Sequence, residues 1–75
     1  MKIDLIKTLK TKYPKIKKKI TKETNLIDDM ILDSLELMGF LILIEKKYSF
    51  QTKKYLKKNK KFQIKLMENF LKNKF

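Results

Sequence analysis

Ser34 is the side chain in this sequence placed to carry chemistry, at the centre of Leu32-Asp33-Ser34-Leu35-Glu36. It does not carry it as a nucleophile. The chain has neither histidine nor cysteine, which excludes His-based acid–base catalysis, serine or cysteine triads, thiolate or imidazole metal sites and disulfides. No lysine is close enough in sequence to activate the hydroxyl. What the surroundings offer is a helix start: Asp33 can accept hydrogen bonds from the first free amides, and Glu36 stands three residues later as in a capping box. A serine just inside such a start turns its hydroxyl to solvent beside unpaired amides, where an attached phosphate would sit at the positive end of the helix dipole. Taken alone, an Asp-Ser pair before an apolar helical pattern is a capping device, and the position it gives the serine can also hold a phosphodiester.

Charge sets the same segment apart. Residues 23 to 45 contain Glu23, Asp28, Asp29, Asp33, Glu36 and Glu45 and no lysine, a charge of −6. The rest of the chain holds all 20 basic residues against Asp4 and Glu68, which brings the total to +12. Blocks of this kind report a partner or a site. All the basic residues are lysine, and alanine and valine are absent, so A/T-rich codon usage accounts for much of the excess. Arginine, whose fork grips phosphate in two places, is missing.

The elements that must position Ser34 follow from spacing. Ile3, Leu5, Ile6, Leu9 and Tyr13 make one apolar helical face, and Pro14 ends that helix near Tyr13. Residues 15 to 25 read as a long loop pinned by Ile16 and Ile20. A second helix runs from Ser34 to about Tyr48, with Leu35, Met38, Leu41, Ile44 and Tyr48 as its core stripe and Lys46 and Lys47 at its negative end. On this reading one or two of Leu37, Phe40 and Ile42 face solvent or line a cavity. Residues 49 to 61 form a polar connection with one short helical turn at Tyr55 and Leu56. A last helix spans about Phe62 to Lys72, burying Leu66, Met67, Phe70 and Leu71. The expected fold is all-α, a small antiparallel bundle of three main helices plus one short helix, occupying 1–75 as a single domain. Seventy-five residues bury roughly 60% of their unfolded surface, too little for a deep multi-residue catalytic cleft. The residues from Met1 to Lys12 lack the continuous apolar core of a signal peptide. The longest apolar run, 37 to 44, falls short of the ~20 residues of a membrane span. A cytoplasmic, monomeric protein without membrane insertion is expected.

Asp33-Ser34-Leu35 at a helix start resembles the attachment motif of acyl and peptidyl carrier proteins. Ile20-Thr21, the run from Leu26 to Asp29 and Ile44-Glu45-Lys46-Lys47-Tyr48 stand at the distances from the serine that the family's pattern has. The resemblance covers nearly the whole chain, is clearest from Ile20 to Tyr48 and weakens after Phe50. It implies a non-catalytic carrier whose Ser34 receives 4′-phosphopantetheine from coenzyme A through a phosphopantetheinyl transferase. Acyl or aminoacyl groups would then be borne as thioesters, in a specialised biosynthetic pathway or in lipid and fatty-acid synthesis. It also implies that Asp33, Leu35, Glu36, Leu37, Gly39, Ile42 and Glu45 are read by the transferase, the loading enzyme and downstream acyl-transfer enzymes. Three features depart from the pattern: the strongly basic total, Lys46 and Lys47 where acids are common, and Ile31-Leu32 before the Asp-Ser pair. The last is more similar to free-standing specialised carriers, such as D-alanyl carriers, than to the housekeeping fatty-acid carrier. The competing reading is a lysine-rich helical nucleic-acid-binding protein using Lys15 to Lys22 and Lys53 to Lys61, which leaves the acids around Ser34 unexplained.

Overall fold

The structure is a computed structural model that describes residues 3–74. It contains four helices: α1 (Leu5–Lys12), α2 (Ser34–Tyr48), α3 (Thr52–Lys58) and α4 (Ile64–Lys74). The all-α bundle of three main helices and one short one is thus the observed architecture.

The boundaries of α1 and α2 have local causes. The Asp4 carboxylate caps α1 by accepting from the Lys7 amide at 3.0 Å, and the helix stops at Tyr13, ahead of Pro14. At the far end of α2, Ser49 takes the left-handed conformation (φ 58°) and its N–H closes back on the Ile44 carbonyl. Lys46 and Lys47 occupy the last turn, where cations suit the helix dipole. The connection after α2 is more ordered than the expected single turn. α3 has 7 residues and exists because Tyr55, fully buried, anchors it. Phe62 precedes α4 instead of opening it, and its ring stacks on Tyr55 at 5.9 Å.

The core is one cluster fed by every helix: Leu5 and Leu9 from α1, Phe40, Ile44 and Tyr48 from α2, Tyr55 from α3, and Ile64, Met67 and Leu71 from α4. Ile20, Leu26 and Leu32 pin the long loop onto it, while Ile16 packs at its edge. Backbone hydrogen bonds hold the same loop to the entry of α4: Leu26 N–H to the Phe62 carbonyl (2.9 Å), Ile64 N–H to Thr24 (3.0 Å) and Lys65 N–H to Lys22 (2.8 Å). These bonds satisfy groups that an irregular buried segment would otherwise leave unpaired.

The core stripe of α2 differs from the expected one. Leu35 and Met38 are 78% and 60% exposed, Leu41 is half-buried, and the buried face is Leu37, Phe40, Ile44 and Tyr48. The reason is helical geometry. Three successive steps of three residues each fall short of a full turn by about 60°, so Leu35 lies on the opposite side of the helix from Ile44. Steps of three and four, as in 37, 40, 44 and 48, keep to one face. Of Leu37, Phe40 and Ile42, only Ile42 is exposed.

Candidate functional site

Ser34 is the first residue of α2, and it is exposed. The capping is done by its neighbours. Asp33 Oδ1 accepts from the Glu36 amide at 2.7 Å, and Glu36 Oε1 accepts from the Asp33 amide at 3.0 Å. The reciprocal box fixes the helix start without using the serine hydroxyl, which is left at the positive pole of a 15-residue helix.

The loop before the serine is tightly constructed. Asn25 Oδ1 accepts from the Ile27 and Asp28 amides (3.0 and 2.9 Å), and the Asp29 carboxylate accepts from the Asn25 amide at 2.7 Å. The Leu26 carbonyl receives both Ile31 and Leu32 N–H groups. This tight reversal places Met30 at φ 55°, a left-handed conformation that costs a non-glycine residue energy, with its side chain 76% exposed. The Lys18 ammonium donates to the Asp29 and Met30 carbonyls at 3.2 and 3.4 Å, bracing the loop from outside. Neither the turn nor Lys18's part in it has a local sequence signal beyond Asn25 and the two aspartates.

From α1, the Tyr13 hydroxyl donates to the Glu36 carbonyl at 2.8 Å, linking the end of one helix to the first turn of the next. Burial, followed by the Glu36 and Asp33 charges, raises the Tyr13 phenol above its ordinary pKa, which keeps it a donor. Gly39 is the residue that admits this contact. A Cβ there would stand 3.1 Å from the Tyr13 hydroxyl and 3.5 Å from Lys12 Cε. Tyr13, Pro14 and Ile16 face Glu36 across a cleft of about 410 Å³.

The residues assigned from the family resemblance separate into two groups. Asp33, Leu35, Glu36, Ile42 and Glu45 are exposed with Ser34, although Glu45 is also tied to α3 by the Thr52 hydroxyl at 2.7 Å. Leu37 is 8% exposed and belongs to the core, so its expected place on the partner-facing surface is corrected. Gly39 is half-buried beneath Tyr13 and Lys12. Met30 and Met38, absent from the expected set, are exposed apolar side chains as Leu35 and Ile42 are. The outcome is an acidic start of helix with four exposed apolar side chains between residues 30 and 42, more than the isolated surface hydrophobe that needs no explanation.

Among the described residues no group of three acidic side chains is gathered for a metal ion, and no helix is long and apolar enough to cross a membrane. Comparison with protein-family models, with curated proteins and with solved structures finds no match for this chain.

Proposed function

We propose that the protein is a carrier whose Ser34 bears a 4′-phosphopantetheine arm, with acyl or aminoacyl cargo held as a thioester at the arm's thiol. The observation that carries this reading is the division of labour at the start of α2: Asp33 and Glu36 cap the helix, and the Ser34 hydroxyl remains exposed and uncommitted to the cap. A serine needed as a cap would donate or accept within the first turn. This one is free for a modifying enzyme.

The surroundings fit the group. The first amides of an α-helix have no intrahelical carbonyl partner, so a phosphate on Ser34 Oγ meets donors and the positive pole of the dipole. Asp33 and Glu36 point their carboxylates at backbone amides, which lessens their repulsion of that phosphate. Leu35, Met38, Ile42 and Met30 supply a small apolar surface on which a transferase, then a loading enzyme, then an acceptor can dock in turn. Each contact is weak, as release requires. The arm gives the cargo a high effective concentration at whichever enzyme is docked. The basic total argues for a dedicated partner set, since long-range attraction to positively charged enzymes is reversed outside the 23–45 segment.

Incubation with coenzyme A and a phosphopantetheinyl transferase of broad specificity should raise the intact mass by one phosphopantetheinyl group, and Ser34→Ala should remove the gain. An unmodified wild-type protein, under conditions in which an established carrier is fully converted, overturns the reading.

A further inference from the structure

The 53–61 stretch holds six lysines, Lys53, Lys54, Lys57, Lys58, Lys60 and Lys61, and no acid. All six are exposed, and both ion pairs among the described residues, Lys22–Glu68 and Lys65–Glu23, lie elsewhere. These charges sit on a rigid mount. Tyr55, on the inward side of α3, packs against Phe50, Phe62 and Phe70 with ring centroids 5.3 to 5.9 Å apart, and its hydroxyl donates to the Lys61 carbonyl.

Between α3 and α4 the surface opens into a cleft of about 390 Å³, within the range of small-ligand sites. Lys54 and Lys58, four residues apart on α3, form one rim. Leu66, Asn69, Phe70 and Asn73 of α4, at the i, i+3, i+4, i+7 spacing of one helix face, form the floor and the opposite rim. No residue lining the cleft is acidic, and none comes from the 23–45 segment that contains Ser34.

We propose that this cleft takes the phosphate headgroup of an anionic phospholipid and docks the protein on the surface of an anionic bilayer. The lysines supply point charges for the phosphate, and the asparagine carboxamides supply N–H donors to its oxygens. The half-buried Leu66 and Phe70 offer apolar surface to the glycerol and upper acyl carbons. A bilayer fits this combination better than a nucleic acid does. Phe70, the ring that lines the cleft, already packs edge-on against Phe50 and Tyr55, so it is not free for base stacking. The four other lysines of the stretch provide attraction that reaches about a Debye length from the surface.

The test is co-sedimentation of the full chain with vesicles of phosphatidylcholine alone or mixed with phosphatidylglycerol, at constant ionic strength. Binding to the mixed vesicles only is expected. Lys54→Gln/Lys58→Gln should weaken it about 30-fold, from the usual energy of a lysine at an anionic surface. Lys7→Gln/Lys10→Gln on α1, which removes the same charge from exposed positions, should change it less than about threefold. All these lysines are exposed, so the variants should fold as the parent does, which circular dichroism checks. Equal losses from the two pairs, equal binding to neutral vesicles, or tighter binding to duplex RNA at the same salt each overturn the proposal. Ser34→Ala should bind vesicles like the parent, so this outcome is independent of the carrier reading.

Discussion

The two halves of the protein spend their apolar residues differently. In the segment from Asn25 to Ile42, large side chains are left in water: Met30, Leu35, Met38 and Ile42 are all at least half exposed, and Met30 holds a left-handed backbone. From Phe50 to Leu71 the large side chains other than Leu56 are withdrawn into contact, with Phe50, Tyr55, Phe62 and Phe70 forming one aromatic cluster and Ile64, Met67 and Leu71 fully buried. The 25–42 segment presents a surface while its Leu26, Leu32, Leu37 and Phe40 reach the core that it shares with the 50–71 segment. Substitutions among the buried residues of the 50–71 segment should cost stability, and those on the exposed face of the 25–42 segment should cost modification of Ser34 with little effect on folding.

The largest loss is expected at Tyr55. Truncating a fully buried aromatic costs about 3–5 kcal/mol, against a total of roughly 4–11 kcal/mol for a domain of this length. Tyr55→Ala should therefore be partly or wholly unfolded at 25 °C by circular dichroism. The same residue gives an alkaline signature. Burial pushes its phenol from 10.0 up to about 12, so the folded state keeps a proton that the unfolded chain has released. Stability contributed this way is intact below pH 10 and falls as pH rises toward 12, by up to about 1.4 kcal/mol per pH unit. Comparing urea midpoints of the parent and Tyr55→Phe across pH 9 to 12 isolates the effect from the lysines, which titrate in both. Parallel curves would show that the hydroxyl is not held in the interior.

Next in size is Glu68, 2% exposed on α4. Its carboxylate accepts from the Leu5 amide at 3.0 Å, closing the start of α1, and pairs with Lys22 of the long loop. One side chain thus joins three segments distant in sequence. Glu68→Ala should cost about 2–3 kcal/mol in urea unfolding, because a charged acceptor is removed from a buried donor. Lys22 is half exposed and regains water, which keeps the loss below that of a fully buried pair. Glu68→Gln retains an acceptor for the Leu5 amide and should lose about half as much.

How far the sequence revealed this arrangement depended on how local the cause was. The start of α2 was readable because Asp33 and Glu36 determine it between themselves, and the end of α1 because Pro14 constrains Tyr13. The phase of α2 was not. Leu35, Leu37, Met38, Phe40, Leu41, Ile42, Leu43 and Ile44 put apolar atoms all around the helix, and only its neighbours decide which side is buried. A sharper cue was present in Lys46, which lies opposite Ile44 and marks the solvent side shared with Leu35 and Ile42. Glu68 has no local signal, because its partners, Leu5 and Lys22, are far away in sequence. α3 is weakly signalled for the same reason: its lysine-rich sequence has weak periodicity, and the aromatic rings that hold Tyr55 come from both flanking segments.

Within α2 the comparison can be made between adjacent residues. Leu37→Ala should cost about 2–3 kcal/mol, as expected of a buried leucine, whereas Leu35→Ala and Met38→Ala should each change stability by no more than about 0.5 kcal/mol. The order should reverse when the rate of phosphopantetheine transfer is measured on folded protein. The exposed pair, replaced together, should lower transfer about tenfold, the equivalent of about 1.4 kcal/mol of lost contact. Unchanged transfer in the double variant would mean that the exposed apolar face serves a purpose other than this docking.

The smallest effect is expected where two terms nearly cancel. Gly39→Ala should gain up to about 1 kcal/mol from helix propensity, but the new Cβ meets the Tyr13 hydroxyl at 3.1 Å. That oxygen must move while bonded to the Glu36 carbonyl at 2.8 Å, and a neutral hydrogen bond contributes about 1 kcal/mol. The single variant should stay within about 0.5 kcal/mol of the parent in urea unfolding. In a Tyr13→Phe background the obstacle is gone, and the same substitution should stabilise by about 1 kcal/mol. A coupling near zero between the two positions would mean that the glycine is not there to admit the tyrosine, and that the first turn of α2 is held in place by its own caps.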